Sequence, residues 1–363
     1  MRQEGENITE QFIAPLFKPV IGITMGDPAG IGSEIIIKAL SKKELYDTCV
    51  PIVIGDRQAL MDANIFCAAG LKLNEIIDID KARGEHGVLD YLNLGFLRPG
   101  SFEYKKVQKI CGEASFQYVI KSIELALMGK LHAVVTGPIS KEAIYEAGHE
   151  YSGHTEIFGD YTNTKDYAML LTSKTLRVIH VSTHCSMREA CERVTKQRVL
   201  QVIRLAREGL NLLGVESPRI GVAGLNAHSS ENGLFGWEEE QEIIPAILQA
   251  KAEGIDAEGP VPPDTVFVKA QAGQYDVVVA MYHDQGHIPV KLSGFTLDLN
   301  TNRYSSMGGV NCTIGLPIIR TSVDHGTAYG KAGEGRANEE SLVDAINTAL
   351  IMAANRFKTN RLP

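Results

Sequence analysis

A polar sequence that could bind a metal follows directly after an apolar one in the C-terminal third of the chain. Residues 277–281 read Val-Val-Val-Ala-Met, and Tyr-His-Asp-Gln-Gly follows at 282–286. A short, continuous apolar run is typical of a buried strand. Because ligands in open α/β sheets bind at the carboxyl ends of strands, His283 and Asp284 are candidates for a metal site, with Lys291 nearby for an anion. A polar turn after a core strand is an equal alternative.

Three further histidines occupy comparable positions. His184 follows a strand predicted at 178–181, His228 follows one predicted at 220–223, and His154 follows a glycine-rich turn. Each alone is more often an ordinary polar residue, but four such histidines among the ten of the chain favour a site. Neutral imidazoles from three strands can bind one divalent metal and leave coordination positions for a substrate. The histidines without this context are interpreted as surface or core residues: His86, His132, His149 and His180.

Two other polar sequences could bind anions. Arg320 follows an apolar run and can hold a phosphate or carboxylate through two parallel hydrogen bonds, and the polar loop at 324–328 can present backbone groups to a ligand. The alternative is a structural arginine beside a surface loop. The glycine-rich loop at 26–32 has the layout of an anion-binding turn, but its spacing matches neither standard nucleotide fingerprint, so a tight turn is equally compatible.

The elements that must position these residues alternate along the chain. Apolar runs predict strands at 20–24, 51–54, 133–135, 167–171, 178–181, 220–223 and 277–281. Apolar stripes of helical period predict helices at about 35–40, 57–69, 114–128, 197–213, 238–252 and 341–357. This βαβα order predicts an α/β protein with a mostly parallel sheet that is covered by helices.

Composition limits the class of protein and its partners. The 363 residues favour two domains, and 44% hydrophobic with 22% charged residues is ordinary for a globular protein. A formal net charge of −8 argues against nucleic acid or an anionic membrane as a partner, so an anionic substrate would need local cations. No apolar run approaches the roughly 20 residues that span a bilayer. The six cysteines form no Cys-x-x-Cys pair, which favours reduced thiols and a cytoplasmic location.

Taken together, the motifs resemble those of the 4-hydroxythreonine-4-phosphate dehydrogenase family over roughly residues 19–357. The matching motifs, in chain order, are Gly-Asp-Pro-Ala-Gly-Ile-Gly at 26–32, Thr-Gly-Pro-Ile-Ser-Lys at 136–141, Gly-His-Thr-Glu at 153–156, Tyr-His-Asp-Gln-Gly at 282–286 and Arg-Thr-Ser-Val-Asp-His-Gly-Thr-Ala at 320–328. Each motif alone is weak, but the set in this order is highly specific.

The resemblance implies an architecture. We expect two α/β/α domains, similar to those of isocitrate and isopropylmalate dehydrogenases, with the active site in the cleft between them. The first domain would comprise residues 19–150 together with 320–363, and the second, residues 151–319, would carry the metal-binding histidines and the dimer contacts. Residues 1–18 would be an N-terminal extension. The resemblance also implies a homodimer whose active sites take residues from both subunits.

The resemblance further implies roles for individual residues. One divalent metal, such as zinc, cobalt or magnesium, is expected on His184, His228 and His283. The expected substrate-binding residues are His154, Thr155, Lys291, Asn311 and Arg320. By analogy with isopropylmalate dehydrogenase, NAD or NADP would contact His325, Gly326, Thr327 and Ala328. The expected catalytic group comprises two carboxylates that orient the metal-bound histidines and a lysine for proton transfer: Asp264, Asp284 and Lys291. The general base is not identified.

The implied reaction is oxidation of 4-phosphooxy-L-threonine at C3 by NAD(P)⁺, followed by decarboxylation to 3-amino-2-oxopropyl phosphate, in pyridoxine 5′-phosphate biosynthesis. Alternatives are a dehydrogenase of D-threonate or D-erythronate 4-phosphate, a phosphate acyltransferase of related fold, and a non-catalytic metal- or phosphate-binding module. Two features depart from the family. Ser33 replaces a common proline, and residues 295–309 are longer than the usual connection between Lys291 and Asn311, which leaves the substrate open.

Overall fold

The computed structural model describes residues 18–298, 303–307 and 309–359 of the chain. The strands are β1 Val20–Thr24, β2 Val50–Gly55, β3 Lys72–Ile76, β4 Val88–Asn93, β5 Ala133–Thr136, β6 Ala168–Thr172, β7 Arg177–His180, β8 Ile220–Ala223, β9 Ala257–Val261, β10 Val277–Ala280, β11 Phe295–Asp298, β12 Arg303–Met307, β13 Val310–Ile314 and β14 Arg320–Val323. The helices are α1 Gly32–Ala39, α2 Lys43–Thr48, α3 Arg57–Phe66, α4 Lys109–Leu127, α5 Lys141–Glu146, α6 His154–Tyr161, α7 Met187–Glu192, α8 Lys196–Leu212, α9 Ile244–Ala252, α10 Val266–Gln271, α11 His283–Gly294 and α12 Glu340–Thr359.

One mixed sheet organises the described residues. Its strand order is β3-β4-β2-β1-β5-β14-β13-β6-β7-β10-β8-β9, while β11 and β12 form a separate hairpin. In this order, neighbouring strands are parallel from β3 to β14 and again from β7 to β9. Between these two groups, β13 runs antiparallel to β14 and β6, and β6 runs antiparallel to β7. The sheet therefore consists of two parallel halves that are joined by antiparallel strands at its centre.

The two halves draw on different parts of the chain. Strands β3 to β14 of the first half come from residues 20–136 and 320–323, whereas strands β13 to β9 of the second half come from residues 168–314. The domain boundaries that we expect from the resemblance are compatible with this arrangement, but they stay a prediction. Residues 1–17 of the expected N-terminal extension lie outside the described residues.

Helices cover the sheet on both faces. Strands β5, β8, β10 and β14 are buried at every position, so side chains on both faces of these strands are shielded from water. Such continuous apolar strands are typical of sheets with helices on each side. The predicted α/β class is therefore confirmed. Among the described residues, no helix combines the length and the apolar character needed to cross a membrane.

Most of the predicted elements are confirmed, and the differences have physical causes. Every strand predicted from an apolar run is present with ends shifted by at most a few residues. Strands β3, β4, β9 and β13 are among those that escaped prediction. Of these, β3 and β9 lie at the two edges of the sheet, where polar side chains such as Lys72 and Glu75 remain in solvent. Helix α3 ends at Phe66, earlier than predicted, since Ala68 and Gly70 adopt left-handed backbone conformations.

The residues around three of the candidate positions form regular elements. His283 begins helix α11, so the alternative of a polar turn after β10 was wrong, and His154 begins helix α6 directly after Gly153. Arg320, which follows the apolar run, begins strand β14 and pairs with Thr313 of β13. The long connection at 295–309 contains the hairpin of β11 and β12, with residues 299–302 and 308 outside the described part of the chain.

The glycine-rich loop at 26–32 forms a tight turn that supports another loop. The carbonyl of Thr327 accepts a hydrogen bond from the Ile31 N–H at 3.0 Å, and the Asp27 N–H donates to Pro138 at 2.9 Å. A Cβ atom on Gly30 would lie 2.8 Å from the Thr327 oxygen, so the close approach requires glycine. The N–H groups of Asp27 and Ile31 therefore have protein partners, and the tight-turn alternative describes this part of the loop.

Candidate active site

A cavity of about 340 Å³ lies over the central strands of the sheet. Its floor is formed by Arg320 and Ser322 of β14, Asn311 of β13 and Met169 of β6. Residues two apart along a strand project from the same face, which explains why positions 320 and 322 both reach it. The beginnings of α5 and α6 line one side, while α11 and the residues after β7 line the other. The cavity therefore draws on both halves of the sheet.

Arg320 is the buried cation of this cavity. Only 2% of its surface is exposed, and its guanidinium lies 5.7 Å from the centre of the Phe158 ring. Two of its nitrogens donate to the hydroxyls of Thr313 and Thr136, at 3.1 and 2.9 Å. Its Nε has no hydrogen-bond partner among the described residues, and burial lowers the pKa of Arg320 to about 10. A buried guanidinium without a carboxylate partner is costly unless an anion binds.

Other polar atoms beside Arg320 also lack partners. Within the described part of the chain, the Nε2 atom of His154 and the Oδ1 atom of Asn311 are buried without a hydrogen bond. Burial, followed by the charges of Arg320 and Lys141, holds the pKa of His154 well below its usual range. His154 is therefore neutral and able to donate or accept one hydrogen bond. Together with the buried Thr155, these predicted substrate residues do come together.

Helix α11 brings a pair of histidines to the opposite side. The Gln285 side chain accepts a hydrogen bond from the Met281 N–H and donates to the carbonyl of Gly224, which ties α11 to the ends of β10 and β8. A Cβ atom on Gly286 would lie 2.4 Å from Nε2 of His180, so only glycine lets the helix approach β7 this closely. As a result, the ring centres of His283 and His184 lie 6.0 Å apart.

Each of these two histidines is oriented by a carboxylate. His184 Nδ1 lies 3.3 Å from Oε1 of Glu156, and His283 Nδ1 lies 2.6 Å from Oδ1 of Asp284. Metal-bound histidines usually donate their second ring nitrogen in this way, which leaves Nε2 for the metal. His184 and His283 therefore fit a divalent ion, and Asp284 occupies the orienting position that we expect from the sequence.

His228 lies apart from this pair. It is exposed, it belongs to a short helical segment at Ala227–Glu231 with a left-handed backbone, and it does not line the cavity. Among the described residues, no three side chains of His, Cys, Asp or Glu converge on one point that could hold a metal. One chain thus brings together two of the three predicted metal ligands.

The other predicted residues are divided between the cavity and its surroundings. His325 and Gly326 line the cavity, as does Lys291. Thr327 and Ala328 do not line it, and the carbonyl of Thr327 bonds the loop at 26–32. Asp264 follows β9, is exposed and does not line the cavity.

Several residues of the cavity escaped individual prediction. They are Lys141, Glu156, His287 and Asp324, with His180 directly behind them. His287 stacks on His283 with ring centres 3.7 Å apart, and burial lowers the pKa of His287 to about 2 and that of His180 to about 4. The spacing of His283 and His287 is the signal that could have identified the second ring, because residues four apart share a helix face. That signal requires knowing that α11 is a helix.

An adjoining cavity of about 600 Å³ shares Thr155, Glu156 and His184 with the first. Its principal cation, Arg198, donates to the backbone carbonyls of Val181 and Tyr167 at 3.0 and 2.9 Å. Since this guanidinium already has protein partners, the adjoining cavity lacks the unpaired buried charge that marks the first.

Comparison with known proteins shows the family of this chain. A family model described as "Pyridoxal phosphate biosynthetic protein PdxA" matches residues 47–349. A protein of Oceanobacillus iheyensis, provisionally named D-threonate 4-phosphate dehydrogenase, is 47% identical over 346 residues, which cover 93% of this chain and 99% of that protein. D-threonate 4-phosphate dehydrogenase of Cupriavidus necator is 43% identical over 341 residues, 94% of this chain and 99% of that protein.

A solved structure shows the same relationship. The crystal structure of 4-hydroxythreonine-4-phosphate dehydrogenase from Klebsiella pneumoniae has a TM-score of 0.80 and 40% identity, covering 94% of this chain and 99% of that one. These relatives are dehydrogenases and match nearly the whole chain, so this chain is an oxidoreductase enzyme. The resemblance inferred from the motifs is confirmed, and the chain belongs to the family of the pyridoxal phosphate biosynthetic protein PdxA.

Proposed function

We propose that this enzyme oxidises the C3 hydroxyl of a four-carbon acid 4-phosphate with NAD⁺ or NADP⁺, and that the resulting β-keto acid loses CO₂. The observation that carries the proposal is the unpaired Nε of the buried Arg320 guanidinium, in a cavity that also holds the His184 and His283 imidazoles. A phosphate supplies the missing acceptor for the guanidinium, and two imidazoles supply ligands for a metal.

The substrate anions divide between two groups of residues. Arg320, His154, Thr155 and Asn311 surround one end of the cavity with buried polar atoms, and we assign the phosphate to that end. Lys291 on α11 lies on the histidine side and is suited to the substrate carboxylate. Charge-assisted hydrogen bonds of this kind contribute about 1.5–3 kcal/mol each.

A divalent metal would be held by His184 and His283, with Glu156 and Asp284 orienting their rings. When bound, such an ion supplies Lewis acidity at the oxygen of the reacting hydroxyl. The nicotinamide nucleotide would contact His325 and Gly326 at the rim, where the Nε2 atom of His325 is buried without a partner among the described residues. Thr327 would act indirectly, through its hydrogen bond to Ile31.

Two substrates fit this chemistry, and they differ at C2. We favour D-threonate 4-phosphate, because the relatives with the higher identities above carry that name. The second candidate is 4-phosphooxy-L-threonine, favoured by the name of the Klebsiella structure, which would place the enzyme in pyridoxine phosphate biosynthesis.

A homodimer with shared active sites is part of the same proposal. One chain assembles two imidazoles, while the exposed His228 precedes the exposed apolar side chains Leu234, Phe235 and Trp237. A second copy that covers this apolar surface could bring its His228 to the His184 and His283 pair. The free thiols of the six cysteines fit a reducing, cytoplasmic compartment.

The test is a substrate panel. Purified enzyme is incubated with D-threonate 4-phosphate, D-erythronate 4-phosphate or 4-phosphooxy-L-threonine, with NAD⁺ or NADP⁺, and with zinc, cobalt or magnesium or with a chelator. We expect metal-dependent formation of NADH or NADPH and release of CO₂ with at least one phosphorylated acid, and most rapidly with D-threonate 4-phosphate. Failure of every phosphorylated acid to reduce either nucleotide would refute the proposed function.

A further inference from the structure

The side chain of Asp324 lies in the cavity without an assigned role. Side chains on β14 alternate, so that Arg320 and Ser322 face the cavity, and Asp324 continues the same alternation just beyond the strand. Its Oδ2 atom is buried and has no hydrogen-bond partner among the described residues. An orphaned carboxylate oxygen in a cavity wall is the arrangement that a reacting hydroxyl could satisfy.

Other roles for this carboxylate have less support. It does not complete a metal site with His184 and His283, because no three potential ligands of the described chain converge on one point. Glu156, the other carboxylate of the cavity lining, also has a buried oxygen without a partner in the described chain, Oε2, but its Oε1 lies 3.3 Å from Nδ1 of His184 and orients that ring. We therefore assign Glu156 to the histidine, and the Oδ2 atom of Asp324 to the substrate.

The position of Asp324 between two groups of residues indicates what it would touch. Arg320, which we assign to the substrate phosphate, precedes it, and His325 and Gly326, which we assign to the nucleotide, follow it. Hydride transfer requires the substrate C3 carbon to lie against the nicotinamide, at the junction of these two groups. The hydroxyl on C3 must lie at the same junction, within reach of the residue that joins them.

The charges around Asp324 suit a proton acceptor. Burial raises the pKa of Asp324, while the positive charge of Lys291 on α11 acts in the opposite direction. A catalytic base works best when its proton affinity approaches that required at the operating pH. A carboxylate that is more basic than a solvent-exposed one meets that requirement better.

We propose that Asp324 is the general base of the reaction, which deepens the proposed function and rests on it. The Oδ2 atom takes the proton of the C3 hydroxyl as the O–H bond breaks. The C3–H bond breaks with its electron pair, and that hydride reduces a nicotinamide nucleotide. The oxygen lone pair forms the C3 carbonyl, and the proton resides on Asp324 at the end of the step.

The test compares Asp324→Asn, which keeps the shape and removes the basicity, with Asp324→Glu, which keeps the carboxylate. We expect Asp324→Asn to lower kcat by about 100-fold or more, and Asp324→Glu to restore part of the rate. Binding of inorganic phosphate and of NADH, measured by calorimetry on the same proteins, should change by less than about threefold, since neither ligand uses a base. Asp160→Asn, at the exposed end of α6, is the matched control and should behave as wild type.

The outcomes separate the base from its alternatives. A kcat of Asp324→Asn within about threefold of wild type, while wild type reduces the nucleotide, would overturn the role of Asp324 and leave the proposed function standing. An equal loss of phosphate binding would also overturn it, by showing that the residue only supports the cavity. An inactive wild type would overturn both proposals. If Asp324→Asn does not fold, Asp324→Ser replaces it with the same expected results.

Discussion

The two sides of the cavity differ in how complete they are. On the anion side, Arg320 is 2% exposed and lies beside buried atoms of His154 and Asn311 that lack partners in the described chain. On the histidine side, the side chains of His184 and His283 are 33% and 37% exposed, and His228 lies elsewhere. One chain therefore preforms the anion site that we propose, but supplies only two ligands of the proposed metal site.

This difference teaches which properties belong to the monomer. Polar atoms that are buried and unpaired within one chain have already lost their hydration. They therefore gain most from a ligand that supplies the missing hydrogen-bond partner. Exposed imidazoles have lost little of their hydration, so their metal affinity depends on a further ligand. We therefore expect that a folded single chain can bind phosphate, whereas tight metal binding requires the dimer.

The largest effect expected is on the metal site, and it tests whether the site is shared. Removal of a residue that only orients a metal ligand weakens metal binding by about 10–100-fold. Loss of a ligand itself, in His184→Ala, His228→Ala or His283→Ala, should weaken it more. Mixing His184→Ala with His228→Ala should restore up to about a quarter of the wild-type rate, because half of the dimers are mixed and each has one intact site.

The complementary mixture sharpens this test. His184 and His283 lie together in one chain, so subunits carrying His184→Ala and His283→Ala should not complement each other. Recovery with that pair, after subunit exchange has been verified by mass spectrometry, would contradict the arrangement. His86→Ala, which alters a histidine outside the cavity, is the control for the loss of an imidazole.

The next effect concerns the anion side. Arg320→Ala should lower kcat/KM by about tenfold to a hundredfold, since each 1.4 kcal/mol is a factor of ten. Arg320→Lys should recover only part of the loss, because an ammonium retains the charge without the planar fork. Steady-state kinetics beside a thermal melt makes the measurement, with Arg204→Ala, an exposed arginine paired to Glu253, as the control. If Arg320→Ala lowers the melting temperature and weakens nucleotide and substrate binding alike, Arg320 is a structural brace.

Glu156→Gln should have a smaller and more selective effect. Glu156 faces Nδ1 of His184, and although burial alone would raise the pKa of Glu156, the hydrogen bond to His184 and other contacts lower it. The variant should weaken metal affinity by about 10–100-fold and leave binding of inorganic phosphate unchanged. Calorimetry with each ligand separates the two. Equal weakening of both would show that Glu156 supports the whole cavity, not the histidine side alone.

Asp27→Asn should change how the stability of the protein depends on pH. Burial raises the pKa of Asp27 from its ordinary value of 3.8 to about 6, against hydrogen bonds from Tyr329 and Ala29. A raised pKa means that the folded state holds this proton more tightly, so its contribution is fully present below pH 3.8 and is lost as the pH rises through about 6. Relative to the variant, wild type should lose up to about 3 kcal/mol of unfolding free energy over this window. Denaturant titrations of both proteins at pH 4 and pH 7 measure the unfolding free energies. If the difference in unfolding free energy between wild type and Asp27→Asn is the same at both pH values, the raised pKa of Asp27 is contradicted.

The sequence predicted the fold well where burial dominates. Strands β1, β8 and β10 are continuous apolar runs because helices cover both of their faces, and that pattern is visible in the sequence. Edge strand β3 carries Lys72 and Glu75 in solvent and gives no such signal. The starts of α6 and α11 were hidden by neighbouring glycines, although Gly286 is required for the approach of α11 to β7.

The candidate site was predicted in its residue types and less well in its grouping. Arg320, His154, Thr155, Asn311 and Lys291 meet in one cavity as the motifs suggested. Glu156 and Asp324 were within the quoted motifs but had no assigned role, because carboxylate function depends on which neighbour each oxygen meets. The separation of His228 from the other two histidines depends on tertiary placement that spacing along the chain does not specify.

The most direct test of the central claim couples Arg320 to the substrate phosphate. Initial rates of nucleotide reduction are measured for wild type and Arg320→Ala, each with D-threonate 4-phosphate and with unphosphorylated D-threonate. If Arg320 binds the phosphate, wild type should prefer the phosphorylated acid, Arg320→Ala should lose most of that preference, and the slow rate on D-threonate should be nearly equal in the two proteins. An equal fractional loss of rate on both substrates would contradict the claim, because it would show that Arg320 acts independently of the phosphate.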